Sequence, residues 1–213
     1  MWFGEKAYLR AGRLVVDGPV AAVLKVGGSF LRYPDARSCV VRAVHREAER
    51  VNRLLVLAGG GEAADLVRRW QERWGLTDEQ AHWLAIAAMD LNAELLARCW
   101  LPRVPLVEKP GAGVEKVSGV AIIRPTTWIS ELEEKSALRL PRSWEVTSDA
   151  LAWFIAMTLE IPEVILLKHL EAGADRVVDS CLDRLCGRYV RPMVRLLDPR
   201  TGESVPYRPR PPM

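Results

Sequence analysis

Along the chain, short unbroken apolar runs alternate with longer stretches whose apolar positions recur every three or four residues. That is the pattern of buried strands separated by amphipathic helices. Residues 21–26 form one such run and end in Gly27-Gly28-Ser29, which predicts a strand feeding a tight turn. Between residues 34 and 51, Val40, Val41, Val44, Ala48 and Val51 fall at helical spacing. Residues 53–57 predict a second strand, closed by Ala58-Gly59-Gly60-Gly61, and Ala64, Val67, Trp70 and Trp74 predict a helix that Gly75 ends.

Thr77-Asp78-Glu79-Gln80 has the form of a capping box and opens a helix expected to reach Cys99. Leu84, Ala88, Leu91 and Leu95 share one face of it, and His82, Met89 and Ala93 another, so burial is expected on both sides. Residues 104–107 and 117–124 are strand candidates, joined by a Pro- and Gly-containing connection from Lys109 to Lys116. A polar helix is expected around Trp128 to Lys135, another over residues 150–159, and a strand over 163–168. Strands alternating with helices predict a mainly parallel sheet covered on both faces, an α/β three-layer sandwich that binds ligands at the carboxyl ends of its strands.

The 213 residues, 49% hydrophobic and 27% charged, suffice for one sizeable core and exclude a disordered chain. A single domain over residues 1–198 is expected, with 1–20 as an N-terminal extension and 199–213 as a Pro- and Arg-rich tail over the surface or a neighbouring subunit. No apolar run approaches the roughly 20 residues needed to cross a bilayer, and the start lacks a signal-peptide pattern, so a cytoplasmic protein without membrane attachment is expected. A net charge of +3, with basic residues scattered among acidic ones, gives no footprint for nucleic acid. Cys39, Cys99, Cys181 and Cys186 form no CxxC pair, and His45, His82 and His169 are not spaced as zinc ligands. Buried free thiols and no metal site are the expectation.

Candidate chemistry gathers at the strand ends. Lys25 precedes Gly27, Gly28 and Ser29, where bare backbone N–H groups can meet an anion and the ammonium can meet phosphate oxygens. The plain alternative is a tight strand exit with an exposed Lys. Gly59, Gly60 and Gly61 read as a second cradle or as a hinge. Asp149 reads as a carboxylate orienting two lysines or as an ordinary first-turn acid behind Thr147 and Ser148. Lys168, at the end of Val164-Ile165-Leu166-Leu167, needs an anionic partner if buried, and otherwise snorkels to the surface. His82 and Asp90 are candidates for touching substrate, against a satisfied half-buried role.

Together these segments resemble the amino acid kinase family. The matching strings are VLKVGGSF (23–30), VLAGGGEAADLVR (56–68), TSDALAWFIA (147–156) and VILLK (164–168), in the family's order. LTDEQAHWLAIAAMDLNAELLA (76–97) and LPRSWEVTSDALA (140–152) resemble more closely the small branch containing the aminomethylfuranmethyl-phosphate kinase of methanofuran biosynthesis.

The resemblance implies an ATP-dependent kinase acting on a small phosphorylated acceptor, an aminomethylfuran phosphate in C1-cofactor biosynthesis, with Mg²⁺ on the nucleotide. Lys25 and Lys168 would neutralise the transferring group, with Lys168 and Gly27, Gly28 and Ser29 on the nucleotide side. Gly59, Gly60 and Gly61, with His82 and Asp90, would hold the acceptor, and Asp149 would orient the lysines. A homo-oligomer is implied. Other readings are a kinase for a nucleoside monophosphate or an isoprenoid phosphate, and a non-catalytic nucleotide- or oxyanion-binding protein. The chain departs from the family after Lys168, where His169-Leu170-Glu171-Ala172-Gly173 replaces a small residue and Asp-Gly, and little chain is expected between Asp179 and the tail.

Overall fold

The structure, a computed structural model, describes residues 21–110, 119–170 and 178–209. The expected N-terminal extension, Lys116, the start of the strand expected at 117 and Glu171-Ala172-Gly173 lie outside the described residues.

A seven-stranded sheet runs in the order β3-β4-β2-β1-β5-β6-β7. Its strands are β1 (Ala21–Val26), β2 (Arg53–Ala58), β3 (Leu106–Val107), β4 (Gly119–Ile123), β5 (Glu163–Leu167), β6 (Met193–Leu197) and β7 (Ser204–Pro206). All pairings are parallel except β6 with β7. The helices are α1 (Gly28–Leu31), α2 (Ala36–Arg50), α3 (Gly61–Trp74), α4 (Asp78–Leu95), α5 (Pro125–Lys135), α6 (Ser148–Thr158) and α7 (Ser180–Arg188).

Period-two alternation in the strands produces the three layers. Val23, Leu55, Leu57, Ala121, Val164 and Leu166 face one side, packing with Trp128, Trp153 and Phe154 of α5 and α6. Leu24, Val26, Leu54, Val56, Ile165 and Leu167 face the other, against Val40, Ala43 and Val44 of α2. The same parity sends Lys25, two residues after Val23, and Lys168, two after Leu166, toward the α6 side. From β1 the chain steps to β2 in one direction and later to β5 in the other, so the strand order reverses between β1 and β5. The carboxyl ends of that pair form the crevice where open α/β sheets take ligands.

Several expectations shift. The capping box is present, with Thr77 Oγ1 accepting from Gln80 N and Gln80 Oε1 accepting from Thr77 N. Past Leu95, however, the helix continues as a π turn (Leu96–Trp100), with Leu101 N donating to Leu96 O at 2.7 Å. Only one face of α4 is covered: His82, Met89 and Ala93 are buried, whereas Leu84 and Leu91 are exposed, Leu91 to 65%. The helix expected to be polar, α5, buries Trp128, Ile129, Leu132 and Glu133. Part of the tail expected to trail over the surface forms the edge strand β7. The cysteines are free; Cys39 and Cys181 are buried, Cys186 is half-buried, but Cys99 is exposed on the outer side of the π turn.

At the amino end of the sheet, Glu47 of α2 is buried and meets Arg50 and Arg195, which both also reach Glu163. This network ties α2, β5 and β6 together at the end remote from Lys25 and Lys168.

The two glycine turns touch backbone to backbone. A Cβ on Gly28 would run into the N and Cα of Gly61, and one on Gly61, at φ +50°, would lie 2.8 Å from Gly28 O. Overpacking costs about 1–3 kcal/mol when side chains can yield, and here the neighbour is main chain. Gly28→Ala is therefore expected to lose about 3 kcal/mol, read from the denaturant midpoint.

Candidate active site

The site is built around Asp149, in the first turn of α6 and only 2% exposed. Its Oδ2 accepts from Lys168 Nζ at 2.6 Å, and its Oδ1 lies 2.8 Å from Lys25 Nζ. The sequence left a capping acid and two surface lysines open at these positions. The structure brings the three groups into one buried cluster instead. Burial alone would push the Asp149 carboxyl up, but Lys25 and Lys168 outweigh it and hold it below the usual carboxylate range. Burial and the neighbouring Lys25 lower the Lys168 ammonium against the pull of Asp149.

Asp179, which sequence reasoning did not single out, fixes the position of that first turn. Its Oδ2 accepts from Thr147 N, Thr147 Oγ1 and Ala150 N, while its Oδ1 accepts from Leu182 N at 2.6 Å. One carboxylate thus caps α6 and α7 together. Asp198, fully buried, holds the exit of β5 by accepting from Leu170 N at 2.9 Å and from the Arg200 guanidinium. Burial opposes its charge, but those donors keep it well below the usual carboxylate range. The chain beyond Asp179 is fuller than expected, since α7 and β6 follow before residue 199.

The ammonium groups open on a cavity of about 460 Å³. Gly27, Gly28, Ser29, Gly60, Gly61 and His169 line it near the lysines. Asn92 of α4 donates to the carbonyls of Gly59 and Gly60, at 2.6 and 2.9 Å, so those acceptors are committed to α4. Gly59 itself is not a lining residue; its N–H closes on Val26 O and a Cβ there would strike Ser148 Oγ. Further out, Ala85, Ile86, Met89 and Leu151 give an apolar wall. At the rim, the Trp144 indole N–H donates to Gln71 Oε1 while the Arg68 guanidinium lies 4.2 Å from its ring centre.

His82 lines the cavity, as a substrate-touching residue must. Asp90 does not: its Oδ1 accepts from Thr126 N at 3.0 Å in the first turn of α5, so this candidate is corrected to a helix-anchoring acid. The free N–H groups at the start of α5 decide its direction.

This geometry has counterparts. No family model matches the chain. It is 27% identical over 155 residues, 72% of its length and 68% of the relative's, to [5-(aminomethyl)furan-3-yl]methyl phosphate kinase of Methanocaldococcus jannaschii. Among solved structures it resembles the UMP kinase of Ureaplasma parvum (TM-score 0.60, 11% identity, 88% of this chain and 93% of that one). The UMP kinase of Bacillus anthracis gives a TM-score of 0.57 at 11% identity, over 84% and 87% of the two chains. The uridylate kinase of Archaeoglobus fulgidus gives 0.50 at 20% identity, over 75% and 68%.

The structural likenesses define the fold, a mainly parallel three-layer α/β sandwich. The curated relative and these solved structures are kinases of small phosphorylated molecules.

His82 also sets a pH dependence. Desolvation, then the Arg142 charge, lower its pKa to about 4 from 6.5, against the opposing pull of Glu133. Below pH 6.5 the unfolded chain binds a proton here that the folded protein refuses until about pH 4, so this residue's contribution to stability is present above that window and lost through it. His82→Asn is expected to lose melting temperature less steeply than the parent across the same window.

Proposed function

We propose that the chain is a phosphotransferase that moves the γ-phosphoryl group of ATP onto the phosphate of a small phosphomonoester, releasing ADP and a diphosphate. The observation that carries this reading is the buried Lys25–Asp149–Lys168 cluster facing two glycine turns. Two ammonium groups share one carboxylate at hydrogen-bond distance, with Asp179 the next acid behind them, and both tips face the cavity. The phosphate oxygens of a polyphosphate suit the remaining ammonium N–H donors.

The division of labour follows from placement. Lys25 and Lys168 neutralise charge on the equatorial oxygens of the transferring group, and Asp149 holds their tips in register. Gly27, Gly28 and Ser29 offer backbone N–H donors on the nucleotide side. Gly60 and Gly61 stand at the start of α3, whose free N–H groups and dipole suit the acceptor phosphate. The backbone contact between Gly28 and Gly61 brings donor and acceptor cradles together, so attack by a phosphate oxygen on the γ-phosphorus needs positioning rather than a covalent enzyme intermediate.

Lysines and backbone N–H groups at this end of the cavity match phosphate oxygens, so Mg²⁺ belongs on the nucleotide, held by phosphate oxygens and water. Bound there, it would supply further neutralisation of the nucleotide's phosphate charge beside Lys25 and Lys168. Among the described residues no cluster of three or more His, Cys, Asp or Glu side chains is placed to hold a metal, and no helix is long and apolar enough to cross a membrane.

The curated relative favours an aminomethylfuran phosphate as the acceptor within this reading, and a cytoplasmic setting goes with it. Self-association is part of the same reading, supported by the exposure of Leu84 and Leu91 on α4. A nucleoside monophosphate or an isoprenoid phosphate is separated from the furan ester by mass spectrometry of the product formed with ATP. Nucleotide binding with no ADP release from any phosphomonoester overturns the kinase reading in favour of a binding protein.

Lys25→Ala is expected to slow ADP release about 10²–10³-fold, the usual loss for one preorganised transition-state donor. Its melting temperature stays near the parent's, because Asp149 keeps Lys168. Asp149→Asn removes the counter-charge of both lysines. It is expected to melt well below the parent and to recover more than the parent does when a non-hydrolysable ATP analogue is added, as followed by differential scanning calorimetry.

A further inference from the structure

The α4 wall of the cavity holds an arrangement that the phosphoryl chemistry does not use. His82, near the start of α4, is buried at the cavity wall, with its Nε2 3.1 Å from Arg142 Nη1. Arg142 is not itself a lining residue. Glu133 of α5 holds its guanidinium with both carboxylate oxygens, Nη1 to Oε1 at 2.8 Å and Nη2 to Oε2 at 2.5 Å. The guanidinium also lies over the Trp83 ring, 4.9 Å from its centre.

A guanidinium only donates and does not lose its proton in a protein. Nε2 of His82 must therefore accept, which leaves the ring's single proton on Nδ1. A second proton would set two donors against each other. The charged neighbours act in the same sense overall, since Arg142 repels a protonated ring at closer quarters than Glu133 attracts it, and the ring's apolar surroundings oppose charge as well. Asp78 on the same helix is committed elsewhere, its Oδ1 accepting from Gln71.

We infer that Glu133 and Arg142 lock His82 as a neutral Nδ1–H imidazole, and that this N–H reads a hydrogen-bond-accepting oxygen or nitrogen on the non-reacting end of the phosphomonoester. The inference rests on the kinase reading and names what sorts one acceptor from another. Ala85, Ile86, Met89 and Leu151 make the rest of that wall apolar. A lone fixed donor in such a wall discriminates through the cost of being left unpaired. On an aminomethylfuran phosphate the ring oxygen is the group that offers this N–H a lone pair, since the ammonium only donates. His82 touches the substrate; Arg142 and Glu133 are positioning residues.

Calorimetric titration at about pH 8 with (pyridin-3-yl)methyl phosphate and benzyl phosphate isolates the contact, because the two esters differ by one ring nitrogen in place of a CH. The pyridyl ester is expected to bind about tenfold tighter, equivalent to about 1.4 kcal/mol. His82→Leu should abolish that preference, and His82→Asn, which keeps an N–H near the position of Nδ1, should restore most of it. Ring ¹⁵N spectra read the tautomer directly, with His82 told apart from His45 and His169 by the signal lost in His82→Asn. The parent ring should stay neutral and protonated at Nδ1 through its ordinary titration range near 6.5, while Arg142→Met should raise the pH at which it takes its second proton, with burial still holding that pH below 6.5. Equal affinity for the two esters, a parent ring that titrates near 6.5, or a proton on Nε2 overturns the inference and leaves the kinase reading standing. Binding of neither ester overturns the inference, whereas the kinase reading falls only if no phosphomonoester releases ADP from ATP.

Discussion

One largely buried carboxylate serving two ammonium groups is the constraint on which the remaining architecture depends. Each ion taken from water costs several kcal/mol unless its partner is held at hydrogen-bond distance. The chain meets that demand from three separate segments: the end of β1, the start of α6 and the exit of β5. Strand parity aims both lysines at α6, Asp179 pins the turn carrying the acid, and Asp198 pins the segment after Lys168. The amino end of the sheet carries its own charge network around Glu47 and Glu163, which joins α2 to β5 and β6 without entering the cavity.

A single helix coordinates much of the rest. Along α4, Asn92 occupies the carbonyls of Gly59 and Gly60, His82 stands at the far wall, and Asp90 anchors the start of α5. Glu94, one turn further, reaches Arg124 just before α5. The side of α4 that performs these tasks is buried, and Leu91 on its other side is exposed. Its capping box fixes where the helix begins and thus the phase of every residue that follows.

Legibility in the sequence tracked the range of the interaction. The glycine turns, the Thr77–Gln80 box and the strand-end lysines are local signals, readable within a few residues, and they located the crevice. Asp179 lies 32 residues from Thr147 and Asn92 lies 33 from Gly59, separations at which no spacing rule operates. Arg142 and Glu133 look like surface charges until the fold shows Glu133 buried. Strands β6 and β7 were missed because Pro and Arg around them mask short runs whose pairing comes from an existing sheet edge. Asp90 misled for the complementary reason: periodicity gives a helix face but not which neighbour's free N–H groups will claim an acid there.

The main-chain contact between Gly28 and Gly61 has a consequence for how such a protein diversifies. With no side chain on either turn, the separation of the two cradles is a fixed gauge, insensitive to repacking elsewhere. Change in what the cavity admits then falls to its periphery, at residues such as His82, Trp144 and Arg68, while the separation of the two turns stays constant. A scaffold of that kind trades adaptability at its reacting centre for freedom in what it admits.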